Sequence, residues 1–400
     1  MKLWDARGTN YAIKFWGAKK YMMNFFKKLL ISFFILVFSS AILAKGTVYQ
    51  VGPDAKYKKP SQLVKRVKPG DIIEIMPGTY LNDDAVWRTD NLTLRGIGVR
   101  PKLMFDKQGV IRNRKAIWVI AGDNILIENI EFSGAHVPNL NGVGLRVEGK
   151  NLTIRNSYFH HNEFAILTGS IEGTLTVKNS EFAYHHRKGY FAHAVYVGDV
   201  EHFIFQGNYV HHSDGGHHVK SRARKSEILY NRLSDEDHGN SSYLIDLPNC
   251  GNAVIMGNIL FQGDATENHT AIAYGAEGCE GKQVSLSVVN NSFLNQNSQG
   301  GFFVKNWTTK SILIANNIVV GKGKLAAGTA QTITNLVKPN IDVYDSDIPE
   351  LNTNTDPQAV NAGTKLGLTL RPVFEYRHPM SIVPRRIQGK VDIGAFEFQE

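Results

Sequence analysis

Residues 125–132 read ILIENIEF, and the pattern returns as LTIRNSYF (152–159), LTVKNSEF (175–182), FIFQGNYV (203–210) and EILYNRL (227–233). VIMGNIL (254–260), LSVVNNSF (286–293) and ILIANNIV (312–319) continue it. Each segment alternates Ile, Leu, Val or Phe with other residues, passes an Asn or Gly, and closes on an apolar side chain. The closing residues Phe132, Phe159, Phe182, Val210, Leu233, Leu260, Phe293 and Val319 lie 27, 23, 28, 23, 27, 33 and 26 residues apart. A period in the twenties with one β-rich unit per repeat is the mark of a solenoid. A leucine-rich repeat has a similar period, but its fixed Leu spacing and helical segments are absent.

Period-two alternation places every second side chain on one face of a strand. The recurrent Asn suits a corner, because Asn tolerates the left-handed conformation and its amide can bond to the next coil. The expected fold is therefore all-β, a parallel β-helix of roughly ten coils whose closing residues stack inward as one line. Its ends differ from its middle. Residues 47–51 (TVYQV) and 71–76 (DIIEIM) read as strands, and 59–67 (KPSQLVKRV) as a short amphipathic helix capping the first coil. Beyond about residue 325 the pattern fades into a loop-rich tail that is expected to end on a capping strand, since open solenoid ends expose unpaired edges.

The first 44 residues are of another kind. Lys27 and Lys28 precede an apolar run, LLISFFILVFSSAIL (29–43), with small residues at Ala41 and Ala44. A basic region, a short apolar run and small residues describe a secretory signal peptide, and the run is short for a membrane span. The expected division is 1–44 extension and signal peptide, 45–325 solenoid, 326–400 tail and capping strand. Six Lys and Arg7 against Asp5 place +6 of the formal +9 in residues 1–44, leaving about +3 on the remainder. Overall charge therefore gives no reason to expect nucleic acid. Cys250 and Cys279 are the only cysteines, 29 residues apart. That is close to one repeat and so places them on neighbouring turns, as a bridge or as two buried thiols.

The chemistry concentrates in GGHHVKSRARKSEILYNRLSDEDHGNSSYLIDLPN (215–249). HAVYVG (193–198), HHVKSR (217–222) and LIDLP (244–248) occupy matching places on three coils. With Val195, Val219 and Ile245 inward, Tyr196, Lys220 and Asp246 stack outward, about 4.8 Å apart. Alternation puts His218 and Arg222 on the same face as Lys220, with His193 and Arg224 beside them. Histidines crowd the flanking coils at 185, 186, 211, 212, 217 and 238. Adjacent histidines on a regular strand point to opposite faces, so a pair chelates one ion only if a corner intervenes. Asp246 with Glu277 or Asp214 offers oxygen ligands to a hard cation such as Ca²⁺.

The repeats, together with KPGDIIEIMPGTY (68–80), LTLRG (92–96) and the ending GKVDIGAFEF (389–398), resemble the right-handed parallel β-helix proteins of the pectin-lyase-like superfamily over roughly residues 46–325. Lys220-Ser221 and Tyr230-Asn231 resemble the base-bearing strand of alginate and chondroitin-B lyases. Those enzymes place an arginine on the next coil. This chain has Asp246, Leu247 and Pro248 there, so Arg222 is the expected substitute from the same strand. The resemblance implies a polysaccharide lyase acting on a uronic-acid polymer by β-elimination. Lys220 would be the base, Arg222 the carboxylate partner, and Tyr196 or His218 the acid, with His193, Asp246 and Arg224 binding substrate. No cofactor is required by this scheme, although Ca²⁺ at Asp246 is an option. A uronate C5-epimerase shares the first two steps, and a non-catalytic carbohydrate-binding or cell-surface protein would use the same groove. An inverting hydrolase needs two carboxyl groups about 6.5–9.5 Å apart, and only Asp246 lies clearly on this face. The expected partner is an acidic polysaccharide, and the expected state a secreted or periplasmic monomer.

Overall fold

The computed structural model describes residues 46–106, 109–187, 192–236, 238–339 and 357–398. The expected signal peptide lies outside these residues. Within them the chain winds through three long parallel sheets in turn, once per coil. The first sheet holds 12 strands from Val48–Val51 to Ala330–Ile333, the second 11 from Thr79–Leu81 to Leu336–Lys338, and the third 10 from Ala85–Trp87 to Lys324–Ala327. Every neighbour within a sheet is one coil away in sequence. The coils continue past residue 325, the expected end of the solenoid.

The closing residues form the line that the repeat predicts. Phe132 pairs with Phe159, Phe159 with Phe182, Phe182 with Val210, Val210 with Leu233, Leu233 with Leu260, Leu260 with Phe293, and Phe293 with Val319. All are buried. The rings of Phe132, Phe159 and Phe182 stack at 5.0 and 5.2 Å, adding about 0.5–1.5 kcal/mol per pair beyond burial. One corner between the first and second sheets is lined by Asn208, Asn231, Asn258, Asn291, Asn317 and Asn335. Each of the first five side-chain amides donates to the next Asn carbonyl oxygen at 2.9–3.1 Å, and Asn335 donates to the Ile314 carbonyl at 2.9 Å. Each of the first five also receives a backbone N–H or spans to a neighbouring carbonyl, so none of these buried amides is left unsatisfied.

Two end elements differ from expectation. Among the described residues there is no α-helix, and the expected cap at 59–67 is a single 3-10 turn, Pro60–Leu63. Nine residues barely exceed two turns, too few to nucleate a helix without tertiary support. Leu63 and Val67 still bury, and Asp71 holds the Lys68 N–H at 2.8 Å, which stops the turn. The ending at 389–398 forms no strand. It lies along the flank, with Gly394 N–H donating to the Asn316 carbonyl at 2.8 Å and Ala395 N–H to Ser292 Oγ at 3.0 Å. Other N–H groups of the segment bond within the tail, Ile393 to the Ala359 carbonyl at 3.0 Å and Lys390 to Asn361 Oδ1 at 2.8 Å, so it needs no sheet edge. Buried Arg385 fastens it, donating to Glu397 Oε2 at 2.7 Å. No helix among the described residues is long and apolar enough to cross a membrane.

Candidate functional site

The third sheet carries the expected stack. Tyr196 pairs with Lys220, and Lys220 with Asp246. Val195, Val219 and Ile245 are fully buried on the opposite face. Lys220 is outward-facing yet only 8% exposed, because neighbouring coils close around it. Its Nζ lies 3.0 Å from Asp246 Oδ2 and 3.2 Å from Glu277 Oε1.

Arg222 completes the cluster. Its Nε donates to the Tyr196 hydroxyl at 2.9 Å, and its two terminal nitrogens grip Glu277 at 2.6 and 3.0 Å. A further bond runs to Asn249 Oδ1. Burial would lower the Arg222 pKa, but the hydrogen bonds to Glu277 and Tyr196 leave it raised. Those same Arg222 bonds, with Lys220 adding to them, hold Glu277 below the ordinary carboxylate range. Asp246 goes the other way: burial raises its pKa, outweighing the pull of Lys220.

His218 departs from expectation. It is fully buried, with Nε2 3.4 Å from buried Asp235. The regular strand begins only at Val219, so strict alternation does not extend back to residue 218. The outward histidine is His217, whose ring stacks between His193 at 4.6 Å and Tyr243 at 4.9 Å. Its Nε2 lies 3.4 Å from Asp246 Oδ2. His217 Nδ1 accepts the Tyr243 N–H at 3.1 Å, and His193 Nδ1 accepts the His217 N–H at 3.0 Å. Burial first, then the positive Lys220, pushes His193 down to about 3. His217 is pushed well below its ordinary value, by burial and then by His193 and Lys220. Both rings are therefore neutral near pH 7, with the hydrogen on Nε2, which in His217 faces Asp246.

The remaining candidates scatter. Arg224 reaches Asp199 at 3.5 Å on the groove flank, and Lys282 meets the same carboxylate at 3.3 Å. Asp214 pairs with His186, away from Asp246. His185 is buried, and His238 is exposed in a turn. Among the described residues no group of three or more His, Cys, Asp or Glu side chains converges as a metal cage. Asp246 and Glu277 are both engaged by Lys220, and two such carboxylates do not fit the roughly six to eight oxygens that calcium takes.

Glu277 is the residue whose place the repeat does not foretell. It stands on a loop after the strand Thr270–Tyr274, 55–57 residues from its partners. Cys250 and Cys279 are bonded, and Glu277 N–H donates to the Pro248 carbonyl at 2.9 Å. The bridge thus ties the loop to the coil of Asp246 and aims Glu277 across the groove. The two cysteines were the only sequence signal for that loop's position. A cavity of about 650 Å³ lies along the tail, lined by Leu366, Leu370, Arg371 and Val391 among others, and shares no residue with this groove.

Residues 78–194 match the family described as right handed beta helix region. The solved structure of pectate lyase Pel9A superposes with a TM-score of 0.57 at 15% identity, covering 89% of this chain and 97% of that one. The chain is a right-handed parallel β-helix protein. An alginate lyase from Paenibacillus sp. is similar to this β-helix protein at a TM-score of 0.48 and 13% identity, covering 70% of this chain and 95% of that one. A rhamnogalacturonan lyase gives 0.46 at 10% identity, covering 74% and 87%.

Proposed function

We propose that the third-sheet groove binds a uronic-acid-containing polysaccharide and cleaves it by β-elimination. The observation that carries this reading is the grip on Glu277. Arg222 holds that carboxylate with two nitrogens while Lys220 touches it from the adjacent side. Paired, planar donors are how proteins recognise a carboxylate, and a uronate presents the same group. Half-exposed Glu277, 45% by its side chain, stands in for it and yields the place when substrate enters.

β-Elimination requires the C5 carboxylate to be neutralised, the C5 proton removed and the O4 leaving group protonated. Arg222 serves the first step. Lys220 takes the C5 proton in its amine form. The C5 electron pair forms the C4–C5 double bond as the C4–O4 bond breaks, and the Tyr196 hydroxyl supplies the proton to O4. His218 has no part, because it does not reach the groove. His193 offers a neutral N–H donor to the sugar. The bonded cysteines fit an oxidising compartment, in keeping with export as a monomer to where such polymers are met.

A second reading, carbohydrate binding without turnover, is favoured by the mutual neutralisation of Lys220, Arg222, Asp246 and Glu277. Incubation with a panel of uronate polymers separates the two. Ultraviolet absorbance from unsaturated products supports the lyase. Binding with neither new absorbance nor new reducing ends supports the binding protein. Altered uronate stereochemistry without cleavage points to the epimerase variant.

A further inference from the structure

We infer that the outward face of the second sheet carries two equivalent transition-metal sites, each built on adjacent histidines: His160 with His161, and His211 with His212. This stands apart from the groove and does not rest on its function. In each pair the first histidine ends a strand, Tyr158–His160 or Tyr209–His211. The second has left-handed backbone, φ 52° at His161 and 50° at His212. That corner turns the second ring back to the side of the first. The Nδ1 atoms consequently face each other at 2.7 Å in one pair and 2.6 Å in the other.

The surroundings repeat as well. His160 Nε2 lies 3.1 Å from Glu131 Oε1, and His211 Nε2 lies 3.1 Å from Glu181 Oε1, in both cases a carboxylate one coil earlier. A tyrosine stacks on the first ring of each pair, Tyr158 at 4.4 Å and Tyr209 at 4.1 Å. His160, Ala183 and His211 are in register, so the pairs are two coils, about 9.6 Å, apart. A carboxylate bonded to one imidazole nitrogen fixes the hydrogen there and leaves the other nitrogen as a ligand, the usual support of a metal-bound histidine. In the metal-free pair the second ring's Nδ1 must carry the hydrogen between the two nitrogens. When an ion enters, that hydrogen moves to Nε2 of the same ring through solvent, and both Nδ1 lone pairs meet the ion. With bonds of about 2.0–2.1 Å in tetrahedral geometry the nitrogens need to stand about 3.3 Å apart, a small rotation for the exposed His161. Water completes the shell. Imidazole suits copper and zinc, with copper(II) the tighter of the two.

Untagged full-length protein is titrated with copper(II) and, separately, zinc(II) in a non-chelating buffer, with calorimetry and electron paramagnetic resonance as readouts. Two equivalents are expected, with nitrogen hyperfine structure and mutual broadening of the copper signals. His161→Ala should remove one equivalent and His161→Ala/His212→Ala both. Glu131→Gln and Glu181→Gln should each weaken one site about 10–100-fold, a readout independent of whether the alanine variants fold. No stoichiometric binding by the wild type, two equivalents retained in the folded double variant, or affinities indifferent to both glutamine variants would each overturn the inference. The pairs would then be imidazole hydrogen bonds only.

Discussion

Lys220 shows how position and environment divide the work at a single residue. Its strand neighbours place it outward, yet it is nearly enclosed between two carboxylates. Lys220→Ala would therefore leave Asp246 buried with much of its compensation gone, a change expected to cost about 3 kcal/mol. Lys220→Arg separates chemistry from stability. It keeps the positive charge but cannot give up a proton at working pH, so turnover should fall by about 10²–10⁴ while the denaturation midpoint barely moves. Normal turnover in folded Lys220→Arg would remove this residue from the base role. Glu277→Gln should act the other way on binding: with the competing charge gone, KM for a uronate polymer should drop several-fold at similar kcat, and an unchanged or raised KM would show that Glu277 is no substrate mimic. The stack of Tyr196, Lys220 and Asp246 was legible in the sequence because period two holds inside a strand. His218 was misread because alternation stops at Val219, and the partnership of Glu277 was hidden because a loop, not the repeat, delivers it.

Corners are where this fold keeps its polar groups, and they set how it responds to mutation and acid. Asn258 is fully buried and donates to the Ile228 carbonyl and to Asn291, both at 2.9 Å, while accepting from Asn231. Asn258→Ala strands several of these groups and should cost about 3 kcal/mol in chemical denaturation. Asn124, in the exposed row formed with Asn91 and Asn151, should cost less than about 1 kcal/mol when replaced likewise. Equal losses would contradict the ladder argument. His185 gives the acid response. Burial, against a hydrogen bond to the Asn162 carbonyl, pushes it down to about 3, whereas the unfolded residue titrates near 6.5. Its contribution is complete above about pH 6.5 and is lost as pH falls toward 3, because only the unfolded chain then takes the proton. Wild-type stability should decline by about 1.4 kcal/mol per pH unit more than His185→Gln across that window. Parallel curves would refute this. The recurrent Asn announced these corners in the sequence. The short cap at 59–67 did not announce its 3-10 form, since apolar spacing over nine residues fits either turn.

At the scale of the whole molecule, each coil meets only the coils before and after it, apart from the tail that runs along the flank. The line from Phe132 to Val319 was readable at a glance because identical registers repeat. The tail was not, because its contacts to Ser292 and Asn316 follow no period. Nearest-neighbour architecture also makes stability a sum over adjacent coils, so damage to one coil should spread only as far as its neighbours' own stability permits.

The recurrence of Tyr158, His160 and His161 as Tyr209, His211 and His212 has a consequence for building rather than for binding. Two coils separate them, and the strands at either seam present the same cross-section. Residues 158–208 are thus a removable cassette: joining Ser157 to Tyr209 should bring Val210 under Phe132 and set Glu131 beside His211. The shortened chain should keep its β-sheet circular dichroism and a cooperative melt while giving up one of the two proposed copper equivalents. An excised chain that cannot fold would mean that the coils, for all their likeness, are not interchangeable parts.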